Sequence, residues 1–274
     1  MKPSATFSQA AADSAPALPA DDALLASPEL DLERLAARWA PYAARRPMNA
    51  EQMRGADVRA QRLGTPALAL MEQAGAAVAA AARAMLVSYE RPAGAPLLVL
   101  AGSGNNGGDA LVAARHLAAA GLRSVVVLVG SAEQPGSAEA RRNWRRLDRL
   151  EPVERMHAAT AHDVAMLTSG VQRAGLVIDG LLGTGVRGAL REPVSSAVEL
   201  IRRARRLGVP VLAIDTPTAL DLSSGTPSEP VVSADVTVTF HRPKDGLLTR
   251  SGRRFAGRVL VAPIGIPPEA DPGA

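Results

Sequence analysis

Gly102-Ser103-Gly104-Asn105-Asn106-Gly107-Gly108-Asp109 gathers four glycines, two amides and a carboxylate into eight residues. A glycine-rich turn that leads into a helix turns backbone N–H groups toward an anion. The amide and carboxylate oxygens add what a plain phosphate loop does not need, a place for a cation or a polar ligand. Two other stretches carry similar chemistry: Asp179, followed by Gly183-Thr184-Gly185, and Asp215-Thr216-Pro217-Thr218-Ala219-Leu220-Asp221. Each alone reads as a turn or a helix cap. Their value lies in whether the fold brings them together.

The elements that must position them are legible from hydrophobic patterning. Apolar runs predict strands over Leu97–Ala101, Ser124–Val129, Leu176–Asp179, Val209–Asp215, Val236–Phe240 and Val259–Ala262. Between them, helices are expected over Asp109–Ala120, Ser137–Leu150, Ala161–Arg173 and Pro193–Leu207. Upstream, Asn49 with Gln52 has capping-box spacing, and Leu70, Met71, Ala74, Val78 and Ala82 give a longer helix one apolar face. Alternating β and α implies an α/β fold with a largely parallel sheet covered on both faces. Ligands in such sheets sit beyond the carboxyl ends of the strands. Three strand ends here deliver the asparagine pair, two aspartates and two glycine-rich turns to one edge.

Composition narrows the reading. The 274 residues, 47% hydrophobic, suit one substantial core. With no cysteine, disulfides and thiolate metal sites are excluded. A net charge of +4 comes almost wholly from dispersed arginine, Lys2 and Lys244 being the lysines, and no aromatic stacking pattern accompanies it, so nucleic acid is not an expected partner. No run reads as long and apolar enough to span a membrane, no secretory or transit leader is apparent, and a cytoplasmic location is expected. Residues 1–47 read as a mostly disordered tail with a short helix over Leu30–Tyr42, and 48–274 as the folded domain. His116, His157, His162 and His241 have no metal-ligand spacing. Gly102, Gly104 and Gly107 also match the G-x-G-x-x-G of dinucleotide-dependent dehydrogenases, but the second strand, Ser124–Gly130, ends without the acid that fingerprint needs for the ribose.

At these residues the chain closely resembles the NAD(P)H-hydrate epimerase family, the YjeF N-terminal domain. Gly102–Asp109 matches the family's G-x-G-N-N-G-G-D, and Asp179 with Gly183-Thr184-Gly185 matches its aspartate and G-T-G turn. Asp215–Asp221 aligns with D-I-P-S-G-x-D, Phe240–Leu247 with F-x-x-P-K-x-G-L, and Leu70–Gly75 with L-M-E-N-A-G. The likeness runs from about Met48 to Pro267. It implies a Rossmann-like three-layer αβα sandwich, a homodimer, a bound potassium ion, and interconversion of the R and S forms of hydrated NADH or NADPH. A separate ADP- or ATP-dependent dehydratase would restore the cofactor, and only the epimerase half is expected in this chain.

Carried over by motif position, Asn106, Asp179 and Thr218 would supply oxygens to the potassium ion. Asn105, Asn106, Gly107, Gly108 and Asp109 would hold one side of the substrate. Gly183, Thr184, Gly185, Val186, Arg187, Gly188 and Ala189 would wrap its pyrophosphate with backbone N–H groups. Asp215 is the expected catalytic acid–base and also a substrate contact. Three departures stand out. Thr218 replaces the usual serine, Ala219 replaces a glycine, and no lysine follows the second strand within Gly130–Ala140. A relative that binds nucleotide or protein without turnover is the alternative these departures leave open.

Overall fold

The computed structural model describes residues 17–183 and 189–273. Helices α1 (Leu32–Ala43), α2 (Ala50–Arg62) and α3 (Ala67–Ser88) precede the first strand. There follow β1 (Leu97–Ala101), α4 (Asn105–Ala119), β2 (Ser124–Val129), α5 (Ala138–Leu147), β3 (Val153–Ala158) and α6 (Ala161–Met166). The chain continues through β4 (Leu176–Gly180), α7 (Val194–Arg206), β5 (Val211–Ile214), β6 (Val236–Phe240), α8 (Asp245–Leu248), α9 (Arg250–Ala256) and β7 (Arg258–Ala262). The seven strands form one parallel sheet in the order β3-β2-β1-β4-β5-β6-β7.

Alternation along the strands makes three layers. Val99, Val126, Ile178 and Leu212 face α1 to α5, whereas Leu98, Val127, Val177 and Val211 face α6 and α7. The strand order reverses between β1 and β4. That switch point is where an open α/β sheet leaves a crevice for a ligand. The loops after β1 and β4 meet there, with Gly102 N donating to Gly180 O at 3.0 Å.

Several elements differ from the sequence expectation. β3 was missed because Val-Glu-Arg-Met-His-Ala carries charges on an edge strand that pairs only with β2. The helix expected from Asp109 starts at Asn105, so the Asn-Asn-Gly-Gly stretch is helix rather than loop. The helix expected over Ala161–Arg173 stops at Met166, and a 3₁₀ turn follows at Val171–Arg173. Among the described residues one helix, α3, is long and apolar enough by length and composition to cross a membrane, which corrects the expectation that no run is. Its composition is explained by its place in the core, with 72% of the apolar window buried.

Residues 17–47 are also packed, in contrast to the tail expected for 1–47. Leu25, Leu30, Leu35 and Trp39 join the core beneath α3. Arg83 of α3 donates to the carbonyls of Leu25, Ala26 and Ser27 at 2.7, 2.8 and 2.9 Å. Residues 1–16 lie outside the described residues.

Candidate active site

The expected capping box at Asn49 and Gln52 starts α2, and just before it Met48 is bridged to the segment after β6. Met48 N donates to Pro243 O at 2.9 Å and Asp245 N to Met48 O at 3.1 Å. This pairing lays α2 across the carboxyl end of the sheet. A cavity of about 690 Å³ opens there between α2, α3, the start of α4 and the ends of β4 and β5. Such a volume suits a small-molecule site. Its walls include Asp57, Asn105, Asn106, Asp109, Gly183 and Asp215.

The glycines of the first motif serve the fold before they serve a ligand. A Cβ on Gly102 would stand 1.8 Å from Leu181 O, and one on Gly107 would stand 1.8 Å from Gly102 O. Backbone meets backbone at both, so the loops after β1 and β4 close only with glycine. Gly107 and Gly108 are buried and do not line the cavity. Gly104 is the helix N-cap and offers no side-chain acceptor, so the first-turn N–H groups of α4 remain for an anion.

Asn106 is 8% exposed, and its Nδ2 has no partner. Buried amides are nearly always satisfied, so an orphan beside a cavity marks a place for an outside group. Asp179, at the end of β4, is fully buried. It accepts from Thr218 N at 2.8 Å, Thr218 Oγ1 at 2.7 Å and Leu181 N at 3.3 Å. Burial nevertheless pushes its carboxyl up to about 6, against the pull of these bonds. Asn106, Asp179 and Thr218 thus offer hard oxygens from three strand ends.

Asp215 follows β5 with a φ of +62°, a left-handed conformation that aspartate tolerates better than most residues. Its Oδ1 accepts from Thr239 Oγ1 at 2.9 Å, and Thr239 Oγ1 in turn accepts from Lys244 Nζ at 3.0 Å. Lys244 is wholly buried, also donates to Phe240 O and Arg242 O, and lies 3.8 Å from Asp215 Oδ1. Burial pushes its ammonium below the ordinary lysine range, and Asp215 and Asp57 oppose that. Among the described residues nothing donates to Asp215 Oδ2, and the residue lines the cavity.

Two further carboxylates share the space. Burial, then the charge of Asp215, pushes Asp57 up to about 6. The same causes hold Asp109 well above the usual carboxylate range. Asp57, Asp109 and Asp215 therefore line one cavity, with the buried Lys244 ammonium 3.8 Å behind Asp215 Oδ1.

The structure brings Asn105, Asn106, Asp109, Gly183 and Asp215 to that cavity, with Asp179 and Thr218 just beneath it. Ala189 is exposed and lines a neighbouring cavity of about 680 Å³, which shares Ser103 and Leu182 with the first. Thr184, Gly185, Val186, Arg187 and Gly188 lie outside the described residues. Sequence reading singled out neither Asp57 nor Thr239, and gave Lys244 no role beyond its place in the Phe240–Leu247 motif. Signals existed for two of them. Asp57 stands seven residues after Ala50 and four after Met53, on the buried stripe of α2. Lys244 is one of only two lysines among 31 basic residues, kept where a compact three-donor ammonium fits and a guanidinium fork does not. His116, His157 and His241 are hydrogen-bonded to Glu72, Gly130 O and Asp271.

The family model for the YjeF-related protein N-terminus matches residues 67–246. An NAD(P)H-hydrate epimerase of Cenarchaeum symbiosum is 43% identical over 205 residues, 74% of this chain and 88% of that protein. A bifunctional NAD(P)H-hydrate repair enzyme of Pyrobaculum aerophilum is 42% identical over 220 residues, 80% of this chain but only 42% of that longer protein. The crystal structure of yeast ynu0 superposes with a TM-score of 0.63 at 25% identity, covering 73% of this chain and 82% of that one. The family match spans strands β1 to β6 and the ends of β1, β4 and β5 that form the site, and the chain belongs to the YjeF-related N-terminal family, whose relatives include NAD(P)H-hydrate epimerases.

Proposed function

We propose that this protein is an NAD(P)H-hydrate epimerase that interconverts the R and S forms of hydrated NADH or NADPH. The observation that carries the chemistry is Asp215, pinned through Oδ1 by Thr239 and Lys244 with Oδ2 left for the cavity. Epimerisation needs the hydroxyl at ring C6 to leave and water to return on the other face. The ring nitrogen lone pair expels the hydroxyl, which takes a proton from a carboxyl group and departs as water. Water then adds to the opposite face of the iminium carbon and gives up a proton to a carboxylate. The negative charge of the site also favours the cationic intermediate over the neutral hydrate. Free N–H groups at the start of α4 suit the pyrophosphate.

Asn106, Asp179 and Thr218 are the residues that would hold a potassium ion. Their donor set fits one, all of it hard oxygen from an amide, a carboxylate and a hydroxyl. When bound, the ion would supply positive charge beside Asp179 and tie together the loops after β1, β4 and β5. The S product would pass to an ADP- or ATP-dependent dehydratase, a reading supported by the bifunctional repair enzymes among the relatives.

The test follows purified R epimer by chromatography in potassium buffer and in tetramethylammonium buffer. Expected outcomes are rapid appearance of S with potassium, slower turnover without it, and a fall of ~10²–10⁴-fold in kcat for Asp215→Asn. Tight binding of the hydrate with no conversion would replace the enzyme reading with a nucleotide-binding module.

A further inference from the structure

Asp215 meets the cavity from the end of β5, and Asp57 meets it from α2, an element contributed by the segment ahead of the sheet. The two carboxylates are not equivalent in their support. Asp215 has Oδ1 filled by Thr239, whereas Asp57 accepts no hydrogen bond from any described residue. Both act on the same buried ammonium, Lys244, which Asp109 does not. Asn106, more than nine-tenths buried with an unpartnered amide, lines the same cavity, so the space between these groups is built for a polar ligand.

We propose that Asp57 is a second catalytic residue, sharing one proton with Asp215 so that the two carboxyls serve the hydroxyl leaving one face and the water arriving at the other. The proposal rests on the epimerase reading and deepens it. In one direction Asp57 gives its proton to the departing hydroxyl, the C6–O bond breaks, and the ring nitrogen supplies the electron pair of the new C=N bond. Water then forms a C–O bond on the opposite face and passes its proton to Asp215. The reverse epimerisation runs with the roles exchanged, and proton transfer through cavity water resets the pair.

Electrostatics supports the arrangement. One ammonium offsets one carboxylate, so Asp57 and Asp215 together with Lys244 are near neutrality when they hold a single proton. Burial and the charges of Asp215 and Asp57 push Asp109, also facing the pair, well above the usual carboxylate range. Arg54 on α2 and Glu139 on α5 complete the charged groups of the cavity wall. Asp57, pushed up to about 6, is poised to exchange a proton near neutral pH.

Two measurements test this in the full chain. Carboxyl-carbon NMR of the unmutated protein should show Asp57 titrating near pH 6, moving toward the ordinary aspartate range in Asp215→Asn; a titration unmoved by that substitution overturns the shared proton. In the epimer assay, Asp57→Asn should lower kcat at least 100-fold with KM little changed and remove the limb of the rate profile near pH 6. Asp57→Glu should recover part of the rate. Wild-type kcat and pH profile in Asp57→Asn, with its melting temperature intact, would overturn the proposal while leaving the epimerase reading standing. Absence of conversion by the unmutated protein would remove the epimerase reading and the catalytic role of Asp57 together, whatever the titration showed.

Discussion

Two buried charge clusters sit within a few residues of each other after β6, and they are wired in opposite ways. In one, Asp271 accepts from His241 Nε2 at 2.8 Å and from Arg242 Nη1 at 2.9 and 3.1 Å. Arg242 spends its remaining donors on Arg46 O and Pro47 O. No polar atom of the three is buried without a partner. In the other, Lys244 has three partners for its three N–H groups, but the carboxylates around it are not filled: among the described residues Asp215 keeps an oxygen open and Asp57 keeps both. The first cluster ties the C-terminal segment and the chain before α2 to the sheet. The second leaves its unspent acceptors facing a cavity. Buried charge by itself says little about role; the count of filled oxygens separates the clamp from the site.

The sharpest way to break this distinction is to truncate each acid. Asp271→Ala strands two buried nitrogen groups and should cost about 3–5 kcal/mol in urea unfolding while substrate turnover per folded molecule holds. Asp215→Asn should do the reverse, losing turnover with little change in the unfolding midpoint. If both variants lose turnover and stability in proportion, the two clusters are one structural unit and the distinction fails.

A pH experiment probes the clamp more finely. Burial holds the folded-state His241 down at about 4, whereas unfolded histidine titrates near 6.5. A depressed pKa means the unfolded chain binds the extra proton first, so this stability is complete above about 6.5 and drains as pH falls toward 4. His241→Asn keeps a donor for Asp271 and accepts the φ of +66° at this position. Relative to that variant, the unmutated protein should lose about 2 kcal/mol between pH 7 and pH 5. Asp57 and Asp179 shift in the opposite direction but are common to both proteins and cancel. Equal pH slopes for the two proteins would show that His241 is not held neutral by the fold.

The smallest effect belongs to the site's backbone. Ala219 has a φ of +72°, the conformation in which its replacement of the family's glycine predicts strain. Ala219→Gly should raise stability by about 1 kcal/mol by chemical denaturation, since relief of the left-handed strain exceeds the entropy that glycine adds to the unfolded chain. A loss of stability would place the loop's strain elsewhere.

Much of this architecture was readable in advance because its elements are locally encoded. Apolar runs such as Leu97–Ala101 and Val236–Phe240 are strands end to end, and Asn49 with Gln52 forms the capping box their spacing requires. What failed to show locally failed for physical reasons. β3 is charged because an edge strand meets solvent, and the packing of residues 17–31 depends on Arg83 and α3, more than fifty residues away. The glycine-rich turn reads in sequence as a way to present backbone N–H groups to an anion, yet Gly102 and Gly107 are there because loop backbones touch.

The sequence alone determined the alternation of strand and helix, the edge where ligands collect, and the family, since motifs at strand ends are contiguous in the chain. Tertiary structure alone decided which acids share a cavity. Asp57, Asp109, Asp215 and Lys244 come from α2, α4 and the segments after β5 and β6, and no local pattern links them. Proton affinity depends on burial and on charges across space, so it is settled only when helix α2 is laid over the sheet's carboxyl edge.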